Sequence, residues 1–391
     1  MKYVVILGDG MADEPIESLG NKTILQAADT PFLDMLSKKS EIGMVHTVPD
    51  GMAPGSDTAN LSVLGYDPKI YYSGRSPLEA LSIGVPMTDT DIALRCNIVT
   101  ISEEEGVPYE EQTIIDHSSS EISTEDCGIL LEAVRKELEN DIHCTIWHNG
   151  SVVKLTPPHD VLGQKVGPNL PETESLREMM KKSYEILKNH PLNIERKKKG
   201  LNPANSCWFW GAGTKPALSS FEEKTGKKGV MISAVDLLKG IAVGAGMDNI
   251  IVPGADGTLN TNYEGKANAA IKALTEDGYD FAYIHVEAPD EMGHQGSVER
   301  KIKAVENLDG RVIKTVVEGL KKSGEPFRVI VTPDHPTPIR LRTHVAKPVP
   351  YLLYDSTEEL DRTWNYNEAE AEASKNYVAN GHQLIDKLFE K

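Results

Sequence analysis

Three apolar runs in this chain end abruptly in acidic or imidazole side chains, and no other feature restricts the fold as much. KYVVIL (residues 2–7) closes in Gly8-Asp9-Gly10, FAYIHV (281–286) leads into Asp290 and His294, and VIVT (329–332) stops at Asp334-His335, with His344 following. A short run that is apolar at every position suits a strand buried on both faces, as in a parallel sheet covered by helices. In open α/β sheets ligands gather beyond the carboxyl ends of the strands. Carboxylate oxygen and imidazole nitrogen are the donors that divalent first-row metals take from proteins. Singly, each of these residues has a blander reading, such as a turn aspartate beside glycine for Asp9. Jointly, Asp9, Asp290, His294, Asp334, His335 and His344 make a candidate ligand set for one crevice.

The remaining pattern agrees with an α/β protein. GVMIS, NIIVPG, FAYIHV and FRVIVT are short apolar runs separated by helical segments, which argues for βαβ units. The clearest helix is KIKAVENLDGRVIKTVVEGLKKSG, with Ile302, Val305, Leu308, Val312, Val316 and Leu320 on one stripe and Gly324 as its stop. Thr30-Pro31 opens another, with proline at the first position. From 101 to 205 the texture changes to acidic loops, short alternating runs such as CTIWHNGSVVKL, and helices over ILLEAVRKELEN and ESLREMMKKSYEILKNH. Ser123 with Asp126 matches a helix start. We therefore expect a metal-binding core over 1–100 and 206–391 and an α+β insertion, a substrate-binding lid, over 101–205. Within the insertion, His117, His143, His148 and His159 share no metal spacing and read as surface or packing residues. The ERKKKG run (195–200) reads as a solvated face or the return linker, and the tail through NEAEAEASKNYV as an acidic helix.

A length of 391 residues is more than one ordinary core needs. The net charge of -18 repels nucleic acid and anionic lipid, so an anionic substrate requires local Arg, Lys or metal. Cys96, Cys127, Cys144 and Cys207 lack C-x-x-C spacing and are expected to be free thiols in a reducing cytosol. No apolar stretch is long enough to span a membrane, and the N-terminal run is too short for a signal peptide. A cytoplasmic monomer or small homo-oligomer is expected.

Pro54-Gly55-Ser56 forms a loop, and residues 57–64 have helical spacing, which places Ser56 at a helix N-terminus. Serine there usually caps the helix. The alternative is a nucleophile activated by metal, with the helix end stabilising a transferred phosphoryl group. Arg75 lies in a Gly-Ser turn and Arg95 inside an apolar run, where a buried guanidinium needs a partner: a structural ion pair or a carboxylate or phosphate ligand. Lys215 sits in a glycine loop without P-loop spacing. These three cations are the candidate anion contacts.

The set GDGMAD, PGSDTANL, APDEMGH, PDH and a later histidine resembles the alkaline phosphatase superfamily, and in order and spacing the archaeal-type, cofactor-independent phosphoglycerate mutases. The likeness extends through SGRSPLEALSIGV, TPPHD, WFWGAGTKP and SAVDLLKGIAVGAGM, nearly the whole chain. It implies a doubly wound, mostly parallel sheet and an isomerase of glycolysis that interconverts 3-phosphoglycerate and 2-phosphoglycerate. By the resemblance, Ser56 is the phosphorylated nucleophile. Asp9, Asp334 and His335 hold one divalent metal with Ser56, and Asp290, His294 and His344 hold the other. Manganese is the implied ion, while the ligand types also admit zinc, cobalt or magnesium. One block departs: relatives tend to carry D-x-S-A-G-H-I where this chain has Asp116 to Ile122, with Glu121 in place of histidine. That departure leaves open a homoserine kinase-like phosphotransferase of the same superfamily. A plain phosphatase or phosphodiesterase and a non-catalytic binding protein are further alternatives.

Overall fold

The computed structural model describes residues 1–138 and 155–390. His143, Cys144, His148 and all but the last residue of CTIWHNGSVVKL lie outside the described residues. The chain forms two compact units: Met1–Tyr72, Leu78–Met87 and Pro216–Lys391 make the first, Ser73–Pro77 and Thr88–Lys215 the second. In chain order the strands are β1 (Lys2–Gly8), β2 (Glu41–Val45), β3 (Ile92–Ile101), β4 (Ile114–Asp116), β5 (Ser206–Thr214), β6 (Gly229–Ile232), β7 (Asp248–Asn249), β8 (Phe281–Val286), β9 (Phe327–Thr332), β10 (Val349–Asp355) and β11 (Tyr377–Val378).

The first unit is built on an eight-stranded sheet of order β11-β2-β10-β9-β1-β8-β6-β7. β1 lies at its centre, parallel to β8 on one side and β9 on the other. Only β10 runs against the rest among these strands, antiparallel to β9 and β2. Alternate side chains of β1 enter two separate cores. Val4 and Ile6 pack with Ala304, Leu308 and Val316, while Val5 and Leu7 pack with Leu61, Leu237 and Ile241. Helices therefore cover both faces, which is the doubly wound arrangement. Full burial of side chains such as Val5 and Leu7 contributes about 1.5–3 kcal/mol each, so this strand can spend its end on polar groups.

The long helix near 300 is continuous but not uniform. It runs as α-helix over Val298–Asn307, opens into a π turn over Leu308–Ile313, and resumes over Lys314–Ser323 before Gly324 ends it at φ 76°. Inside the π turn, Asp309 accepts the backbone NH groups of Phe32 and Leu33 at 3.2 and 2.6 Å, satisfying the start of the helix Pro31–Ser37.

Several expectations change. NIIVPG yields only the two-residue edge strand β7, and Ile251 stays 67% exposed, because an edge position asks for little burial. The ERKKKG run falls mainly in the helix Pro191–Lys198, where Arg196, Lys197 and Lys198 occupy the last turn that favours cations. The acidic tail forms a helix over Glu368–Ala373 and then adds β11 to the sheet.

The second unit holds the antiparallel sheet β4-β3-β5 and the helices Thr124–Leu138 and Glu174–Leu187. Ser123 Oγ accepts the Asp126 NH at 3.2 Å, as its spacing suggests. The unit boundaries lie at 88 and 215, outside the 101–205 of the sequence reading. The cause is pairing: β3 and β5 hydrogen-bond to one another from Ile92 to Val99, so both belong to the smaller sheet. Strand partners that far apart leave no local trace.

Candidate active site

Three adjacent central strands, β9, β1 and β8, deliver the candidate ligands from their carboxyl ends. Asp9 leaves β1, Asp290 follows β8 on the short helix Ala288–His294, and Asp334-His335 leave β9. Gly10 makes the turn after β1 possible. Its φ is 59°, and a Cβ there would collide with the Asp290 and Thr337 side chains. Its NH donates to Asp334 Oδ1 at 3.1 Å, locking the β1 and β9 ends together.

Two ligand clusters result. Asp9, Asp334 and His335 offer donor atoms all within 4.8 Å of one another, and so do Asp290, His335 and His344. His335 thus faces both clusters, and its ring stacks on His344 at 4.0 Å between centroids. His294 completes the second cluster, with Nε2 3.1 Å from Asp290 Oδ2 and 2.9 Å from His344 Nε2. Its other nitrogen lies 2.9 Å from the Arg342 carbonyl oxygen, which orients the ring.

Ser56 is not the cap of its helix. The helix spans Ser56–Val63, Gly55 occupies the N-cap without a side-chain bond, and Ser56 is the first helical residue. Its hydroxyl instead lies 3.3 Å from His335 Nε2 and 3.5 Å from Asp9 Oδ2, beside the first cluster. Asn60 holds this helix start in place. Its Nδ2 donates to Ser56 O at 2.8 Å and to Asp334 Oδ2 at 3.1 Å, while Tyr283 OH donates to its Oδ1 at 2.6 Å.

The charges around the site suit cations. Burial, then the nearby Asp334 and Asp290, push the Asp9 carboxyl far above its usual range. For Asp290 burial opposes ionisation, but hydrogen bonds from His294 and His344 prevail and hold it below the usual range. The same bond to Asp290 raises His294 to about 9. Burial lowers His335, and lowers His285 to about 3. Three acids converge, and among the described residues their ion pairs run only to histidines. Asp9 Oδ1 is buried with no hydrogen-bond partner. An orphaned carboxylate oxygen among further carboxylates and imidazoles fits divalent metal ions.

His285 escaped the sequence reading. It lies wholly buried in β8, with Nε2 2.9 Å from Asp9 Oδ2 and Nδ1 3.3 Å from Ser233 Oγ. The available signal was an imidazole inside an apolar run, which burial makes costly without a partner; the same argument had singled out Arg95. Asn60 and Thr337, which hydrogen-bonds Asp290, gave no such signal.

Arg75, Arg95 and Lys215 belong to the second unit. There Arg95 lies over the Trp210 ring at 4.6 Å, and Lys215 is 4.0 Å from Asp89. The departing block is also in this unit. Ser119, Ser120 and Glu121 all have positive φ, and Asp116 holds the turn by accepting the NH groups of Ser118 and Ser120 at 2.9 and 2.6 Å. Burial opposes ionisation of Asp116, but bonds from Asn202, Ser118 and Ser120 bring it to about 2.

Sheet and site together define a class: doubly wound α/β proteins with a serine at a helix start beside paired carboxylate and imidazole clusters. Comparison with known proteins narrows it. The family model described as 2,3-bisphosphoglycerate-independent phosphoglycerate mutase matches residues 37–193. A protein of that name from Methanosarcina barkeri is 48% identical over 383 residues, covering 92% of this chain and 94% of that one. Another from Methanosarcina mazei is 46% identical over the full length of both. The structure of a cofactor-independent phosphoglycerate mutase from Thermoplasma acidophilum superposes with a TM-score of 0.65 at 26% identity, covering 99% of each chain. This chain belongs to the 2,3-bisphosphoglycerate-independent phosphoglycerate mutase family.

Proposed function

We propose that this protein interconverts 3-phosphoglycerate and 2-phosphoglycerate through a phosphoserine at Ser56, without 2,3-bisphosphoglycerate. The observation that carries the reading is the Ser56 hydroxyl, released from capping and set 3.3 Å from His335 and 3.5 Å from Asp9. Asp9, Asp334 and His335 with Ser56, and Asp290, His294 and His344, would hold two divalent cations, whose charge favours the ionised serine oxygen and the transferring phosphoryl group. Manganese is the ion we propose. Ser56 attacks phosphorus and releases glycerate; the same glycerate then receives the group on its other hydroxyl. The first helical position places the phosphoryl group at the positive end of the dipole. Asn60 keeps that helix end aligned with Asp334, and His285 holds Asp9. Water must be kept out while glycerate turns, since hydrolysis of the phosphoserine would waste the step. Arg75, Arg95 and Lys215 are our proposed contacts for substrate anions, on residue type and motif.

The relatives named above support the mutase reading, and none of them supports the kinase alternative. A coupled assay for 2-phosphoglycerate formed from 3-phosphoglycerate, in the absence of 2,3-bisphosphoglycerate, should show turnover. Ser56→Ala should lose at least about a thousandfold in kcat, as nucleophile removal does elsewhere, while retaining bound metal. Substantial mutase activity in that variant would refute the role of Ser56. Faster phosphate transfer to homoserine, or net phosphate release, would replace the assignment itself.

A further inference from the structure

Among the described residues, Cys96, Cys127 and Cys207 all lie in the second unit, away from any role in the reaction proposed above. Across the β3–β5 ladder Cys96 pairs with Phe209 and Ile98 with Cys207, which puts Cys96 and Cys207 diagonally opposite on one face of the sheet. Cys96 Sγ donates to the Asn97 carbonyl oxygen at 3.8 Å, and the Cys207 NH donates to Ser183 Oγ at 2.9 Å. Both cysteines line a groove of about 420 Å³ with Leu131, Met179, Ser183 and Phe209. Cys96 is exposed as a residue and Cys207 is 2% exposed. Cys127, on the helix Thr124–Leu138, packs against the cluster that contains Cys207. The proximity of the two thiols draws the Cys207 thiol down against the effect of burial and, together with burial, pushes the Cys96 thiol up.

We propose that Cys96 and Cys207 form a thiol pair that closes reversibly to a cross-strand disulfide by exchange with small organic disulfides entering this groove. Cys96, the exposed residue of the pair, gives up its proton and attacks the small disulfide. A mixed disulfide forms on Cys96 and one small thiolate leaves. Cys207 then gives up its proton and attacks the Cys96 sulfur, expelling the second thiolate. Two cysteine thiols are oxidised by two electrons, one small disulfide is reduced to two thiols, and the two cysteine protons end on those products. Diagonal neighbours stand farther apart than directly opposite residues, so closing the bond requires the two strands to shift toward the usual disulfide span. Strained, accessible disulfides are the readily reduced ones.

The test exposes the full-length protein to excess oxidised glutathione, quenches with N-ethylmaleimide, and maps peptides without reduction. The expected result is a linked Cys96–Cys207 peptide, a protein lighter by two hydrogens, and full reversal by dithiothreitol. Cys207→Ser should stop at the mixed disulfide, with glutathione retained on Cys96. The proposal is overturned if Cys96 and Cys207 are alkylated as in untreated protein, or if Cys96 joins Cys127 or Cys144 instead. The wild-type map decides the matter even if the variant does not fold.

Discussion

Asp9 divides its two oxygens between different tasks: His285 holds Oδ2 at 2.9 Å, and Oδ1 is buried without a hydrogen bond, 3.7 Å from His335 Nε2. Removing the first contact should loosen the second. Outer partners of metal ligands typically account for about 10–100-fold in metal affinity or activity. His285→Asn, which withdraws the nitrogen facing Asp9, should weaken divalent-cation binding by that order in calorimetric titration. His285→Gln, which can still reach Asp9, should lose less; equal affinities in all three proteins would remove His285 from the site. At this scale much was legible. Asp9, Asp290, Asp334 and His335 announce themselves because a charged or imidazole group directly after a buried strand is costly unless it binds something. Ser56 was ambiguous, since a capping and a reacting serine occupy the same stretch of sequence. Asn60 was invisible, because its value lies in joining Ser56, Asp334 and Tyr283, residues remote from one another in the chain.

Among the elements, the run from Lys301 to Gly324 reads as a helix with one apolar stripe, and the structure has helix from Val298 to Ser323. Its π turn was not foreseen, because the extra residue is stabilised by what Asp309 does for another helix. Burial raises Asp309 to about 6. A carboxyl raised in the folded state binds its proton more tightly there than in the unfolded chain, where the value is about 3.9. The folded protein therefore holds more protons between these limits, and Asp309 costs stability progressively as pH rises from about 4 to about 6, with no further change above. Asp309→Asn keeps an acceptor for the helix Pro31–Ser37 and removes the titration. Urea midpoints across this range should fall with pH more steeply for the native sequence than for the variant, and parallel profiles would contradict this account. The strands tell a similar story. β1, β8 and β9 are legible from apolar runs buried on both faces, whereas the sequence groups 1–100 and 206–391 in the core and does not show that β3 pairs with β5, because pairing is a property of two segments together.

For the whole molecule, the ligand clusters join the first residues of the chain to residues beyond 330, so cation binding should stabilise the fold. A cation that binds only the folded state at a free concentration a hundredfold above its Kd adds about 2.7 kcal/mol. Calorimetry should show a higher Tm with manganese and a fall to the metal-free value on chelation. Binding must also displace the protons held by Asp9 and by His294, raised to about 9, so apparent affinity should decline as pH drops below that value. A midpoint indifferent to both manganese and chelator would count against a metal centre here. No described helix is long and apolar enough to cross a membrane. Local sequence determined the class of fold, the central strands and the residues at their ends, because strand burial and ligand chemistry are both written in consecutive residues. Tertiary structure alone decided that Ser56 faces Asp9 and His335 instead of capping its helix, that His335 faces both clusters, and that β3 and β5 pair with each other. Each of those outcomes depends on groups distant in sequence meeting within a few ångströms, and no window along the chain contains both partners.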